Sequence, residues 1–139
     1  MSTRAAFTFN LVSPASADKA WSLVGDLAGV TKWVPGVTEC AVDGDVRHCT
    51  FADGRTVIEH ITAFDDAARS YAYRRGTDGT PMAANTGSFA VAETPDGGSR
   101  VTWLAQVEFT SAEAADQMVP MLNAGYGAAF DQLTDQIER

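Results

Sequence analysis

Two short runs hold most of the side chains in this sequence that could do chemistry. In the first, Glu59 stands at two-residue spacing from Val57, Ile61 and Ala63, with Thr56, Ile58, His60 and Thr62 on the opposite parity. A carboxylate among apolar walls has its pKa raised by desolvation unless a cation pairs with it, and such a group exchanges protons near neutral pH. The second run is Tyr71-Ala72-Tyr73-Arg74-Arg75, in which Tyr71, Tyr73 and Arg75 share one face. Two phenols and a guanidinium on one surface orient an oxygenated molecule or stabilise an enolate. Glu59, Tyr73 and Arg75 are therefore the candidate catalytic groups. Each run also has a plain structural reading: Glu59 paired with an arginine of a neighbouring strand or exposed, and the tyrosines packing the sheet with Arg75 at its rim.

Other chemistries find no residues to carry them. His48 and His60 lie on different strand-like runs without ligands at metal spacing, and no Gly-x-Ser-x-Gly or phosphate-binding glycine loop occurs. No metal and no cofactor is expected. The formal charge of −8 and pI near 4.5 speak against nucleic acid or an anionic membrane surface, which reward clustered Lys and Arg. No run reaches the ~20 apolar residues of a membrane span, and Met1-Ser2-Thr3-Arg4 leads straight into a strand-like pattern. A cytoplasmic location is expected. Cys40 and Cys49 would then stay reduced. They face each other only if their hairpin turns on Gly44-Asp45, whereas Asp43-Gly44 is the stronger turn and leaves them out of register.

The elements that must position these groups follow from periodicity. With 139 residues, 45% apolar and 20% charged, the chain is expected to form a single domain, 1–139. Residues 4–12 alternate as a half-buried strand. Ser13-Pro14 reads as a helix N-cap with proline at the first helical position, and Ala17, Ala20, Trp21 and Val24 recur at helical spacing up to Gly25. Leu27 to Trp33 reads as a second brief helix before Pro35-Gly36. From Val37 to Phe109, turns carrying Asp-Gly (43-44, 53-54, 78-79 and 96-97) separate alternating runs, which predicts an antiparallel meander near 37–43, 46–52, 55–64, 69–76, 86–94 and 99–109. The segment Gly76 to Thr86 is the longest irregular connection expected and the natural lid.

The last strand has one more apolar face, Val101, Trp103, Ala105, Val107 and Phe109, with Trp103 expected to meet a long helix. That helix begins at a Thr110 or Ser111 cap and carries Met118, Leu122, Tyr126, Phe130 (or Ala129), Leu133 and Ile137 at three- or four-residue steps. About 25 residues of helix span roughly 38 Å, enough to cross the sheet. Pro120 implies either a later start or a kink. A coiled sheet gripping one helix lengthwise cannot touch it everywhere, so the gap fills with side chains or encloses a ligand.

This order of elements, with Ala20-Trp21 in the first helix, Trp33-Val34-Pro35-Gly36 before the second strand and Val101-Thr102-Trp103 in the last, resembles the START/SRPBCC (Bet v 1-like) superfamily, and within it the bacterial polyketide cyclase/dehydrase and lipid-transport branch. The resemblance implies an α+β helix-grip fold: a curved seven-stranded antiparallel sheet around a long C-terminal helix, with two short helices after the first strand. Locally, Glu59-His60-Ile61-Thr62-Ala63-Phe64-Asp65-Asp66 is similar to a stretch of the plant abscisic acid receptors. That similarity selects the Glu59 face as the inner one, puts Glu59 and Tyr73 toward the cavity and suggests Ser88 beside them. Those receptors' gate has no counterpart in Ala52-Asp53-Gly54-Arg55, so hormone-type gating is not expected. The ligand-binding set implied is Trp33, Val57, Glu59, Ile61, Tyr71, Tyr73, Ser88, Trp103, Met118, Leu122 and Tyr126.

The leading expectation is a binding or carrier protein for a small hydrophobic molecule (lipid, quinone, polyketide or terpenoid), with Glu59, Tyr73 and Arg75 contacting its polar end, as a monomer or homodimer. The second is an enzyme of the cyclase, aromatase or dehydratase kind acting on a poly-ketone-like substrate, with Glu59 as acid or base. Pro35-Gly36-Val37-Thr38-Glu39 also resembles the membrane-associated accessory proteins of carbon monoxide dehydrogenases, a third reading, without that group's extended tail. A surface-acting regulator with a filled core is the fourth.

Overall fold

A computed structural model describes residues 3–139; Met1-Ser2, part of the N-terminal stretch read above, lies outside them. The order is β1 (Arg4–Ser13), α1 (Ala17–Val24), a 3₁₀ helix (Leu27–Lys32), β2 (Val37–Asp43), β3 (Val46–Phe51), β4 (Thr56–Asp65), β5 (Ser70–Arg75), β6 (Met82–Glu93), β7 (Ser99–Phe109) and α2 (Ala112–Glu138). The seven strands form one antiparallel sheet in the order β1-β7-β6-β5-β4-β3-β2. This is the expected α+β helix-grip architecture, a meander closed by β1 on β7.

Local chemistry explains the turns. Gly44, Gly54, Gly79 and Gly97 all take positive φ, between 61° and 87°, which a side chain would disfavour. Ser111 caps α2 by accepting from the Ala114 backbone N–H at 3.0 Å. The N-cap of α1 is Ser16, whose Oγ accepts from the Lys19 N–H at 3.1 Å, and not Ser13. Ser13 is instead the buried last residue of β1, because the strand pairing continues to Ser13↔Ser99. The Trp21 indole N–H donates to Asp66 Oδ1 at 2.7 Å and ties α1 to the β4–β5 turn.

Three further expectations are corrected. The β2–β3 hairpin pairs Asp43 with Val46, so its two loop residues are Gly44-Asp45; Cys40 then stands opposite Cys49 and the two form a disulfide with Cα atoms 4.2 Å apart. The irregular connection after β5 covers only residues 76–81, because β6 pairs with β7 from Met82 onward. On β4 a bulge between Ile61 and Ala63 breaks the alternation, moving Ala63 off the inner face and bringing Phe64 opposite Tyr71.

The helix α2 runs continuously through Pro120. Tyr126, Ala129, Phe130, Leu133 and Ile137 are buried, with Tyr126 edge-on to Phe7 (5.3 Å) and Phe130 stacked on Phe9 (5.6 Å). Between Ala115 and Tyr126, however, no residue of α2 is fully buried. That stretch, which contains Pro120, stands off the sheet.

Candidate functional site

Under the standing-off stretch lies a cavity of about 300 Å³. Its floor is the inner face of β3 to β7, its sides are the 3₁₀ helix and Trp33–Pro35, and its roof is Met121 to Ala129. Val57, Glu59, Tyr71, Tyr73, Arg75, Trp33, Trp103, Leu122 and Tyr126 all line it, so the structure brings nine expected residues together. Three others stand outside the lining. Ser88 pairs with Ala72 and Leu104 and points to the outer face, since Phe89 occupies the inner one. Ile61 is buried against the core beyond the cavity, and Met118 lies one turn before the roof, partly buried.

The polar wall is built by register. Arg47 on β3 lies opposite Glu59 on β4, which in turn lies opposite Arg75 on β5. Arg47 Nε donates to Glu59 Oε1 at 2.9 Å and Nη2 lies 2.8 Å from the same oxygen. The Arg47 side chain is 4% exposed and that of Glu59 15%, so little water screens this pair. Arg47 Nη1 also donates to the Leu27 carbonyl (3.2 Å) and to the Tyr71 hydroxyl (3.4 Å), tying the 3₁₀ helix to the sheet. Burial alone would lower the Arg47 pKa, but Tyr71 and Glu59 outweigh it and the guanidinium is held charged. Both contacts to Glu59 fall on Oε1. Among the described residues, none donates to Oε2, on the cavity-lining carboxylate.

The phenols keep their protons. Tyr73 accepts from the Trp103 indole N–H at 3.1 Å, which leaves its own O–H to donate elsewhere. Burial raises the Tyr73 pKa far above the usual phenol value, and burial likewise raises that of Tyr71 against the opposing pull of Arg47. Neither is a base at neutral pH. Tyr73 has room because its partner in register is Gly87, where a Cβ would collide with the phenol.

The other wall is aromatic. Phe89 stacks on Trp103 (4.9 Å) and Tyr71 (5.3 Å), Trp33 meets Phe89 edge-on (5.6 Å), and Trp103 meets Tyr126 of α2 (5.0 Å) as expected. Among the described residues, two buried polar atoms on the cavity lining have no hydrogen-bond partner: the Trp33 indole Nε1 and the Asn85 Oδ1. Asn85 spends its amide N–H on the Tyr126 hydroxyl at 3.3 Å and contacts Met82 sulfur at 3.7 Å.

Arg47, Asn85 and Phe89 were missed from sequence. A signal existed for each: placing Cys49 inside would have placed Arg47, two residues earlier, beside it, and Asn85, Gly87 and Phe89 follow one another at the strand period.

A curved seven-stranded antiparallel sheet around one long C-terminal helix, with a cavity between them, is the helix-grip architecture. The profile of the polyketide cyclase/dehydrase and lipid transport family matches residues 4–138, and the chain belongs to that family. No curated protein sequence matches it. Among solved structures it is similar to the protein XoxI from Bacillus cereus, with TM-score 0.83 and 22% identity over 96% of this chain and 95% of that one. It is also similar to norcoclaurine synthase from Thalictrum flavum in complex with a transition-state analogue, with TM-score 0.75 and 16% identity over 99% and 96%. The Zhui aromatase/cyclase from Streptomyces sp. R1128 gives TM-score 0.76 and 14% identity over 96% and 93%. At these identities the structural likeness speaks for the fold alone. No helix among the described residues is long and apolar enough to cross a membrane.

Proposed function

We propose that the protein, acting as a single domain over residues 1–139, binds a small, mainly apolar molecule of the lipid, polyketide, quinone or terpenoid kind between sheet and α2. The carrying observation is the cavity itself, about 300 Å³ of space walled by Trp33, Phe89, Trp103 and Tyr126. The unpartnered Trp33 N–H and Asn85 Oδ1 support a ligand that carries polar groups as well, since buried polar atoms are otherwise satisfied. Native mass spectrometry followed by organic extraction tests this. A stoichiometric apolar adduct supports the reading, while an empty protein that binds none of a panel of such compounds overturns it.

A second reading is favoured by one specific feature, the unengaged Oε2 of Glu59 beside protonated phenols. In that reading the protein is a cyclase, aromatase or dehydratase: Glu59 takes a proton α to a carbonyl and the Tyr73 O–H stabilises the enolate. Held by Arg47 through Oε1, Glu59 offers its other oxygen to that proton. Glu59→Gln would then abolish turnover of a poly-ketone substrate while sparing its binding, and unchanged turnover would refute the role.

The same proposal takes the protein as a monomer or homodimer in the cytoplasm. The Cys40–Cys49 bond weighs against that compartment, because such bonds persist mainly in oxidising surroundings. Maleimide trapping in intact cells decides: two labelled thiols fit the cytoplasm, none fits an oxidising compartment.

A further inference from the structure

The charge of the cavity wall is opposite to that of the molecule. The chain carries a formal −8, yet the ionised side chains lining the cavity are Arg47, Arg55 and Arg75 against Glu59 alone, three positive to one negative, a local balance of +2. Arg47 and Glu59 neutralise each other. Arg55 lies over the Phe51 ring at 4.4 Å and 3.9 Å from Asp53, with its side chain 60% exposed. Arg75 differs from both. It is half-buried, and among the described residues its side chain makes no hydrogen bond or ion pair, although its register partner is the carboxylate-bearing Glu59. Arg47 holds Glu59 Oε1 from the other side, and Arg75 makes no contact with the unengaged Oε2 either.

Arg55 immediately precedes β4 and Arg75 ends β5, so the antiparallel pairing puts both at the same end of the sheet. A partly desolvated guanidinium without a partner costs free energy that an acidic group would recover through a charge-assisted, bidentate contact. The acidic exterior discourages anions from binding elsewhere on the protein, which leaves this mouth as the positive focus.

We propose that the ligand is an organic acid: an amphiphile whose apolar body lies against Trp33, Phe89 and Trp103 and whose single anionic group is held by Arg75, with Arg55 guiding its approach. This rests on the cavity-binding reading above and narrows it to a charge class.

Two fluorescent probes with the same aromatic skeleton provide the test, 1-anilinonaphthalene-8-sulfonate and its uncharged counterpart N-phenyl-1-naphthylamine. Each is titrated into the full chain and into Arg75→Gln and Arg75→Lys at low salt. The ratio of the two dissociation constants is the readout, so a general loss of affinity in a variant cancels. The wild type prefers the sulfonate by about tenfold. Arg75→Gln reduces the preference to about twofold or less, Arg75→Lys keeps most of it, and added salt erodes it. No preference in the wild type, or one that survives Arg75→Gln, overturns the charge assignment while leaving the cavity reading intact. Failure of both probes to bind the wild type overturns both.

Discussion

The two walls of the cavity reach the same degree of burial by opposite means. On β6, β7 and α2, Phe89, Trp103 and Tyr126 fill space with rings 4.9 to 5.0 Å apart, with the Trp103 indole N–H donating to Tyr73 and the Tyr126 hydroxyl accepting from Asn85. On β3, β4 and β5, Arg47 and the largely covered Glu59 leave water as a hydrogen-bonded ion pair, and Arg47 also donates to the hydroxyl of the buried Tyr71. Under the binding proposal the aromatic wall accounts for shape and affinity, and the polar wall for orientation.

The largest effect is expected where the aromatic wall loses its centre. Trp103→Ala removes a ring that touches Phe9, Phe89 and Tyr126 and the N–H that anchors Tyr73, and should cost about 3–5 kcal/mol in urea unfolding. Trp103→Phe should recover more than half of it. If the alanine variant unfolds like the wild type, the packing account of this wall is wrong.

On the polar wall the comparison is sharpened by a double-mutant cycle. Arg47→Met strands Glu59, whose side chain is 15% exposed, and should cost about 2–4 kcal/mol; adding Glu59→Gln should restore much of that. Strict additivity of the two would show that the ion pair does not couple them. Next in size is the hairpin carrying Arg47. Reducing the Cys40–Cys49 bond, nine residues apart in sequence, should lower stability by roughly 2–3 kcal/mol in the loop-entropy picture, with a matching drop in Tm under dithiothreitol.

The phenols connect the walls and give a pH signature. Tyr71 and Tyr73 have folded pKa values raised above the ordinary 10.0, so the stability they contribute is present below about pH 10 and is lost as pH rises through that value and the unfolded chain releases their protons. Tyr73→Phe should flatten this alkaline decline in urea midpoints, and an unchanged slope would place the phenol in water. The smallest effects belong to the residues that left the site. Ser88→Ala should shift stability by less than about 0.5 kcal/mol and leave probe binding unchanged, whereas Gly87→Ala next to it should displace Tyr73 and weaken binding.

Element order, the Asp-Gly turns at 53-54, 78-79 and 96-97, and the grouping of residues on each face of β5 and β7 were legible in the residues, because each depends on local periodicity or on a single backbone preference. The amphipathic stripe of α2 was legible for the same reason. What tertiary structure alone decided lies one step beyond that range. Whether the β2–β3 hairpin turned at Asp43-Gly44 or one residue later was a matter of pairing energy along the whole hairpin, and it settled at once the disulfide and the inward direction of Arg47. The bulge at Thr62 reversed the parity of Ala63 and Phe64, which no alternation count foresees. Ser88 was carried inward by likeness to another family, but the pairing of Phe89 with Tyr71 left it outside. Local sequence determines which residues share a face; only the register of strand against strand decides which charges meet across it, and here that register put Arg47 on Glu59 and left Arg75 without an ion-pair partner among the described residues.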